Sequence, residues 1–281
     1  MLEERALSFA CQGERLVGIA SLPAATPTRG VLIVVGGPQY RAGSHRQFTL
    51  LARQLAASGV AAMRFDYRGM GDSEGALRDF SNVEADLRCA IDAFFAAAPT
   101  LREVVLCGLC DGATAAVFYA AGDARVGGLV LLNPWVRTEQ GAARATLQHY
   151  YGARLVSAEF WRKLASGRFR PGAALASLGR LLRQARRGPG DTGAAPECAS
   201  LPERMQRGLG AFRGRVLLVL SGADLTAQEF AGVAQSSPAW RALLADARVS
   251  RHELPGADHT FSQRAWHDQA AARVCDWLRA W

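Results

Sequence analysis

Short apolar runs recur along this chain, and they restrict its fold more than any other feature. They fall at Val31–Val35, Val60–Phe65, Val104–Cys107, Leu129–Leu132 and Val216–Leu220. The unbroken run Val31–Val35 suits a strand buried on both faces. Between the runs lie segments of helical periodicity. Phe48, Leu51, Leu55 and Ala56 share one face, and Gly59 closes that helix. Val83, Leu87, Ala90, Ile91 and Phe94 form a second stripe over Ser81–Ala98, with Pro99 just past its end. Ser81 and Glu84 stand at capping-box spacing. The small residues of Ala113–Ala121 suit a helix packed closely on a sheet. Strand and helix thus alternate at βαβ spacings, which predicts an α/β fold: a mostly parallel sheet with helices on both faces and right-handed crossovers.

Two alternating stretches precede this pattern, Ala6–Cys11 and Leu16–Ser21, joined by a turn at Gln12-Gly13-Glu14. They read as an antiparallel hairpin. After Trp135 the rhythm breaks until about Arg213. Helical patches occur near 142–151, 158–164 and 175–185, followed by a Gly/Pro/Ala-rich loop at 188–196. The expected division is a core of residues 1–134 and 213–281 with an inserted helical cap at 135–212. Beyond it come the Val216–Leu220 strand, a helix near Ala239–Ala245, a strand near Val249–Leu254 and a last amphipathic helix over Ser262–Trp281.

Composition narrows the function classes. The chain has 281 residues, 49% of them hydrophobic and 21% charged, ordinary values for a globular domain with a sizeable core. The net charge is +8, yet Lys163 is the only lysine. Arg180, Arg183, Arg186 and Arg187 read as a solvated face, so no nucleic-acid partner is expected. No apolar run reaches the roughly 18 residues of a membrane span, so no stable membrane insertion is expected. Acidic residues stand where a signal peptide would be basic, and the expected location is the cytoplasm. The six cysteines are scattered, which argues against a disulfide framework.

The sharpest local signal is Gly108-Leu109-Cys110-Asp111-Gly112, at a strand-to-helix junction. It has the form of a nucleophile elbow with cysteine in the serine position. Such a turn strains its central residue and leaves no room for side chains two positions before and after it. The nucleophile then sits at a helix N-terminus, whose partial positive charge favours a thiolate. Cys107 and Cys110 also have CxxC spacing, as in thioredoxin-like proteins. Here Cys107 belongs to the strand and reads as a packed core residue.

A base is expected late in the chain. His259 follows the last strand within Gly256-Ala257-Asp258-His259-Thr260-Phe261, at an edge where ligand sites of open α/β sheets gather. His45, His149, His252 and His267 are worse placed. Asp224, just past the Val216–Leu220 strand, is the expected acid; Asp258, beside His259 in the chain, competes with it. An oxyanion hole needs backbone N–H donors. Asp111 should give one, and Gln39 or Gly37 the other, because Pro38 has none. Arg68 and Asp72, within Asp66-Tyr67-Arg68-Gly69-Met70-Gly71-Asp72-Ser73, are expected to pin a glycine-rich turn beside the site.

RFDYRGMGDSEG, GLCDGA, SGADLT and GADHTF together resemble the α/β-hydrolase fold over nearly the whole chain outside the cap. More narrowly, GGPQYRAGSHRQF, the Cys-bearing GLCDGA and LVLLNPWVRTEQG are similar to the exosortase A system-associated hydrolase 1 family. That resemblance implies a bacterial setting with exopolysaccharide synthesis and sorting of proteins that carry a PEP-CTERM signal. The GxCxG elbow is also similar to that of dienelactone hydrolases, which pair Cys, Asp and His. The chemistry expected is acyl transfer on a small-molecule ester or thioester, through an acyl-cysteine, with no cofactor and no metal. An acyltransferase with the same triad, or a scaffold with a vestigial site, are the alternatives.

Overall fold

The computed structural model describes residues 2–37, 39–136 and 199–280. Its centre is an eight-stranded sheet: β1 (Glu3–Cys11), β2 (Glu14–Leu22), β3 (Arg29–Val34), β4 (Ala61–Phe65), β5 (Glu103–Leu109), β6 (Val126–Leu132), β7 (Arg215–Ser221) and β8 (Val249–Leu254). The spatial order is β1-β2-β4-β3-β5-β6-β7-β8. β1 and β2 form the antiparallel hairpin, and β2 also runs antiparallel to β4. Every other pair is parallel. Seven helices are described: α1 (Gln47–Ala57), α2 (Glu84–Ala97), α3 (Asp111–Ala120), α4 (Leu201–Ala211), α5 (Leu225–Ser236), α6 (Pro238–Leu244) and α7 (Arg264–Arg279).

Period-two alternation along the buried strands builds two cores, one on each face of the sheet. Leu32, Val34, Leu106 and Leu131 meet Leu87, Ile91 and Phe94 of α2, Met205 of α4 and Phe230 of α5. Val31, Ile33, Val105 and Cys107 point the other way, towards Leu51 and Leu55 of α1 and Val274 and Leu278 of α7. Burying each such large side chain contributes roughly 1.5–3 kcal/mol, and a central strand does so on both faces at once. This is why its sequence carries no polar alternation.

The structure departs from the sequence reading in three places. The capping box expected from Ser81 and Glu84 does not form; α2 begins at Glu84 after Val83, with no side-chain cap. Ser81 lies instead in a 3-10 turn, where the Asp79 carboxylate accepts its N–H at 2.7 Å. A capping box does occur at Ser200 and Glu203, at the head of α4. Helix α5 was not foreseen. Its buried stripe, Ala227, Phe230 and Ala234, contains a single large apolar side chain, too thin a signal to read. Helix α4 falls in the stretch assigned to the inserted cap, and the structure packs it on α3. A Cβ on Gly208 would lie 2.9 Å from the Val117 carbonyl oxygen. The cap residues 137–198, with His149, Lys163 and Cys198, lie outside the described residues, as does Pro38.

Candidate active site

Strand β3 leads to β4 on one side of the sheet, while β5 and β6 continue on the other. The strand order therefore reverses between β3 and β5, where open α/β sheets form a crevice at the strands' C-terminal ends. Val34 pairs with Gly108 there. The Gly36–Gln39 loop and the cysteine turn consequently open from one edge.

The turn has the geometry that the sequence demands. Cys110 is held at φ 58°, ψ −125°, a region costly for any residue but glycine. A Cβ on Gly108 would lie 2.4 Å from the Gly112 carbonyl, and one on Gly112 would lie 2.4 Å from Val34 O. Bare backbone is thus obligatory at both positions. The Cys110 N–H is fixed by Leu132 O at 3.0 Å, and the Cys110 carbonyl accepts from Trp135 N–H at 3.1 Å. Half-buried Cys110 is presented to a cavity of about 400 Å³ that it lines with Gly37, Phe48, Asp111, Trp135 and His259. Cys107, three residues earlier, is sealed in the core, and burial pushes its thiol up to about 12. The two cysteines of the CxxC spacing therefore stand in opposite environments.

His259 is reached from the far side. Its Nδ1 lies 2.8 Å from Asp224 Oδ2, which leaves Nε2 for the cavity that His259 lines with Cys110. The carboxylate is oriented by a second duty. It caps α5, accepting the Thr226 N–H at 3.1 Å and the Ala227 N–H at 3.2 Å. One aspartate thereby spends its buried lone pairs on a helix terminus and on a histidine at once. Its neighbour in the contest, Asp258, is occupied by Ser262, whose N–H it accepts at 2.9 Å. The hydrogen bond to Asp224, and next that to Cys110, raise His259 to about 10 against the opposing effect of burial. The site thus favours the imidazolium.

The other histidines take other roles. His267 Nε2 faces Gln47 O at 3.2 Å, and His252 is a half-buried residue of β8. His45 lies at φ 54° in the turn before α1.

The candidate oxyanion donors are placed together, and all are engaged. The Gln39 N–H donates to Gly37 O at 2.8 Å. The Gly37 N–H donates to Asp111 Oδ2 at 3.0 Å. Burial raises the pKa of that carboxyl above the usual carboxylate value, against the backbone N–H groups of Gly37, Asp111 and Gly112, which lower it.

Arg68 and Asp72 diverge. Arg68 turns away from the cavity to the buried Asp86 of α2, with Nη2 2.8 Å and Nε 3.0 Å from its oxygens. Asp72 pairs with Arg41 at 2.6 Å, on the chain that follows the Gly36–Gln39 loop. The organiser of that region is Asp66, which the sequence reading passed over. It accepts the Arg41 N–H at 2.6 Å and the Asp72 N–H at 3.1 Å, and it pairs with the Arg41 guanidinium.

Asn133 was also missed. Its Nδ2 donates to His259 O at 3.0 Å and to Ser221 Oγ at 2.9 Å, and its Oδ1 accepts the Ser221 N–H at 2.8 Å. It ties the ends of β6 and β7 to the histidine loop. The signal available was an Asn-Pro pair ending a strand, with φ 43° at Asn133. Its partners lie 88 and 126 positions away in sequence. Among the described residues no group of three His, Cys, Asp or Glu side chains could hold a metal ion, and no helix is long and apolar enough to cross a membrane.

An eight-stranded, mostly parallel sheet with an antiparallel leading hairpin, helices on both faces and a strained turn after β5 is the α/β-hydrolase fold. The chain belongs to the Alpha/beta hydrolase family, whose sequence profile matches residues 31–277. Solved structures agree on the fold. The Pyrococcus furiosus esterase Pf2001 is 14% identical, with TM-score 0.67 over 100% of this chain and 92% of that one. Est1E from Butyrivibrio proteoclasticus, solved with ferulic acid bound, is 16% identical, with TM-score 0.63 over 98% of each chain. A dienelactone hydrolase from Anabaena variabilis is 15% identical, with TM-score 0.62 over 100% of this chain and 98% of that one. Among curated proteins no sequence match was found.

Proposed function

We propose that this protein is an ester or thioester hydrolase that works through an acyl-cysteine on Cys110, with His259 and Asp224 completing the triad. The observation that carries the reading is the Asp224–His259 hydrogen bond beside a strained cysteine that lines the same cavity as the ring. A raised His259 fits a thiolate–imidazolium pair better than a neutral thiol awaiting a base.

In that mechanism the Cys110 thiolate attacks the substrate carbonyl carbon, and its oxygen takes up the negative charge. Collapse expels the leaving group, which takes the proton from Nε2 of His259. The now neutral imidazole removes a proton from water. Hydroxide attacks the acyl-cysteine, the thiolate departs, and the imidazolium is restored. Asp224 holds the ring with Nδ1–H directed at its carboxylate throughout, which fixes the reactive nitrogen.

Cysteine suits activated acyl groups with good leaving groups. A thioester is nearly isoenergetic with the acyl-enzyme, so an alcohol or amine could replace water and make the protein an acyltransferase. The motif resemblance to exosortase-associated hydrolases supports a role beside bacterial exopolysaccharide synthesis. The esterase and dienelactone hydrolase neighbours support small-molecule esters as substrates. The test is a series of p-nitrophenyl esters and acyl thioesters of graded length, with intact-mass detection of the acyl-enzyme. Turnover that passes through a Cys110-linked acyl group supports the reading. Turnover undiminished in Cys110→Ala would sink it.

A further inference from the structure

The carboxyl of Asp111 accepts the Gly37 N–H at 3.0 Å, and the N–H groups of Gly112 and of Asp111 itself act on it electrostatically. Two of them, on Gly37 and Asp111, are the donors that a substrate oxyanion would need. The position is built for an anionic oxygen. A Cβ on Gly36 would lie 2.1 Å from Asp111 Oδ1, so only a glycine there leaves the carboxyl its place. The same carboxyl group lines the cavity that holds Cys110 and His259. The resting site therefore carries its own carboxylate where the reaction must put a charged oxygen.

A second cavity, of about 410 Å³, shares Gly36, Gly37, Asp79, Phe80 and Asp111 with the first and is lined by Tyr67 as well. Tyr67 is 4% exposed, and its hydroxyl has no hydrogen-bond partner among the described residues. A sealed, unpaired hydroxyl is costly and calls for an explanation. Burial first, and then the charges of Asp111 and Asp86, push the phenol well above its usual value of 10. Tyr67 thus keeps its proton and feels the Asp111 charge.

We propose that the Asp111 carboxylate is a two-position plug, seated on the Gly37 N–H in the resting site and transferred to the Tyr67 hydroxyl when a substrate carbonyl enters. The inference rests on Cys110 being the nucleophile. Rotation of the side chain releases the N–H groups of Gly37 and Asp111 to the substrate oxygen. The carboxylate gains the Tyr67 O–H in exchange. The Gly37 N–H thereby exchanges one acceptor for another, and the Tyr67 hydroxyl acquires one. Tyr67 and the Asp111 side chain are then positioning residues, which set how often the hole stands open.

Two reactions of the same sulfur separate this from a merely structural role. Acylation by p-nitrophenyl acetate, read as the burst, needs the oxyanion hole. Alkylation by iodoacetamide does not, so the ratio of the two rates reports the hole alone. Asp111→Ala should raise that ratio about tenfold, since it removes a charge-assisted hydrogen bond that competes with substrate. Asp111→Asn, whose neutral amide competes more weakly, should fall between. Tyr67→Phe should lower the ratio several-fold, and should do nothing in the Asp111→Ala background.

A fall in the ratio on Asp111→Ala would show that the carboxyl props the loop rather than plugs it. An equal effect of Tyr67→Phe in both backgrounds would also overturn the proposal. Should Asp111→Ala not fold, an unchanged ratio in Tyr67→Phe alone is enough to reject it. Mass spectrometry that finds acyl-Cys110 in these proteins confines such failures to the plug. Its absence from all of them overturns the nucleophile reading as well.

Discussion

Two buried carboxylates each hold a cation-forming side chain, and they hold it to different ends. Asp86, with a fully buried side chain, grips the Arg68 guanidinium and also accepts the Arg68 N–H at 2.9 Å. Asp224, with a side chain 6% exposed, grips the His259 ring while it caps α5. The first partner is sealed, its side chain 5% exposed, and a guanidinium keeps its proton at any ordinary pH. The second is 34% exposed, opens to the cavity, and can give its proton away. The same pairing is therefore structural at Asp86 and, at Asp224, open to proton exchange with the cavity. What separates them is access and the proton affinity of the partner, not the carboxylate.

The comparison is broken most directly at the sulfur and the ring. Cys110→Ala or His259→Ala should lower turnover about 10⁴-fold, because triad members act as a unit. Cys110→Ala should not move the urea midpoint by more than about 1 kcal/mol of stability, since its side chain is only half-buried, and His259→Ala should not do so above about pH 10, where the ring is neutral. Asp86→Ala should do the reverse. Leaving the Arg68 guanidinium uncompensated in the interior should cost about 3–5 kcal/mol, read from urea denaturation. Turnover per folded molecule should hold. A large kinetic defect in that variant, with stability intact, would erase the distinction drawn above.

Asp224 joins the two behaviours, and its substitutions can divide them. Asparagine is as good a helix cap as aspartate but cannot hold an imidazolium by charge. Asp224→Asn should therefore lower turnover about hundredfold, less than loss of the sulfur, because a thiolate–imidazolium pair is partly self-sustaining. Its stability should stay near that of the parent above about pH 10, where His259 holds no extra proton in the parent either. Asp224→Ala loses the cap as well and should cost about 1 kcal/mol more in denaturation. Equal stabilities for the two variants would show that the cap is energetically idle.

The parts of the molecule that could be read in advance are those whose cause is local. Val31–Val35 announces β3 because both faces of a central strand are buried, and that leaves no polar position in its sequence. Gly108 announces the turn because the collision it avoids, with Gly112, lies four residues away, whereas the collision that Gly112 avoids is with Val34 of the distant β3. Asp224 and His259 could be nominated by position after a strand, and the structure puts them within hydrogen-bonding distance. Ser81 and Glu84 misled because spacing alone says nothing of where a helix starts once Asp79 has captured the Ser81 N–H. Asn133, Asp66 and the plugging carboxyl of Asp111 were out of reach for a different reason. Each takes its role from a partner elsewhere in the chain, such as Ser221, Arg41 or Gly37, and nothing near it in sequence names that partner.

The last expected effect is the pH dependence of stability, and its sign follows from His259. The folded-state value of about 10 lies above the unfolded value near 6.5. The folded protein thus binds a proton that the unfolded chain has released over the interval between them. The resulting stabilisation is complete below about pH 6.5 and is lost as pH rises through about 10. Urea midpoints should therefore fall steadily between those limits. Asp86 and Arg68 give no such slope, because the guanidinium does not titrate there. The decline should flatten in Asp224→Asn, which removes the leading cause of the raised value, and flatten in part in Cys110→Ala, which removes the next. A decline as steep in Asp224→Asn as in the parent would mean that some other group binds the proton, and that the Asp224–His259 contact lacks the ion-pair character assigned to it.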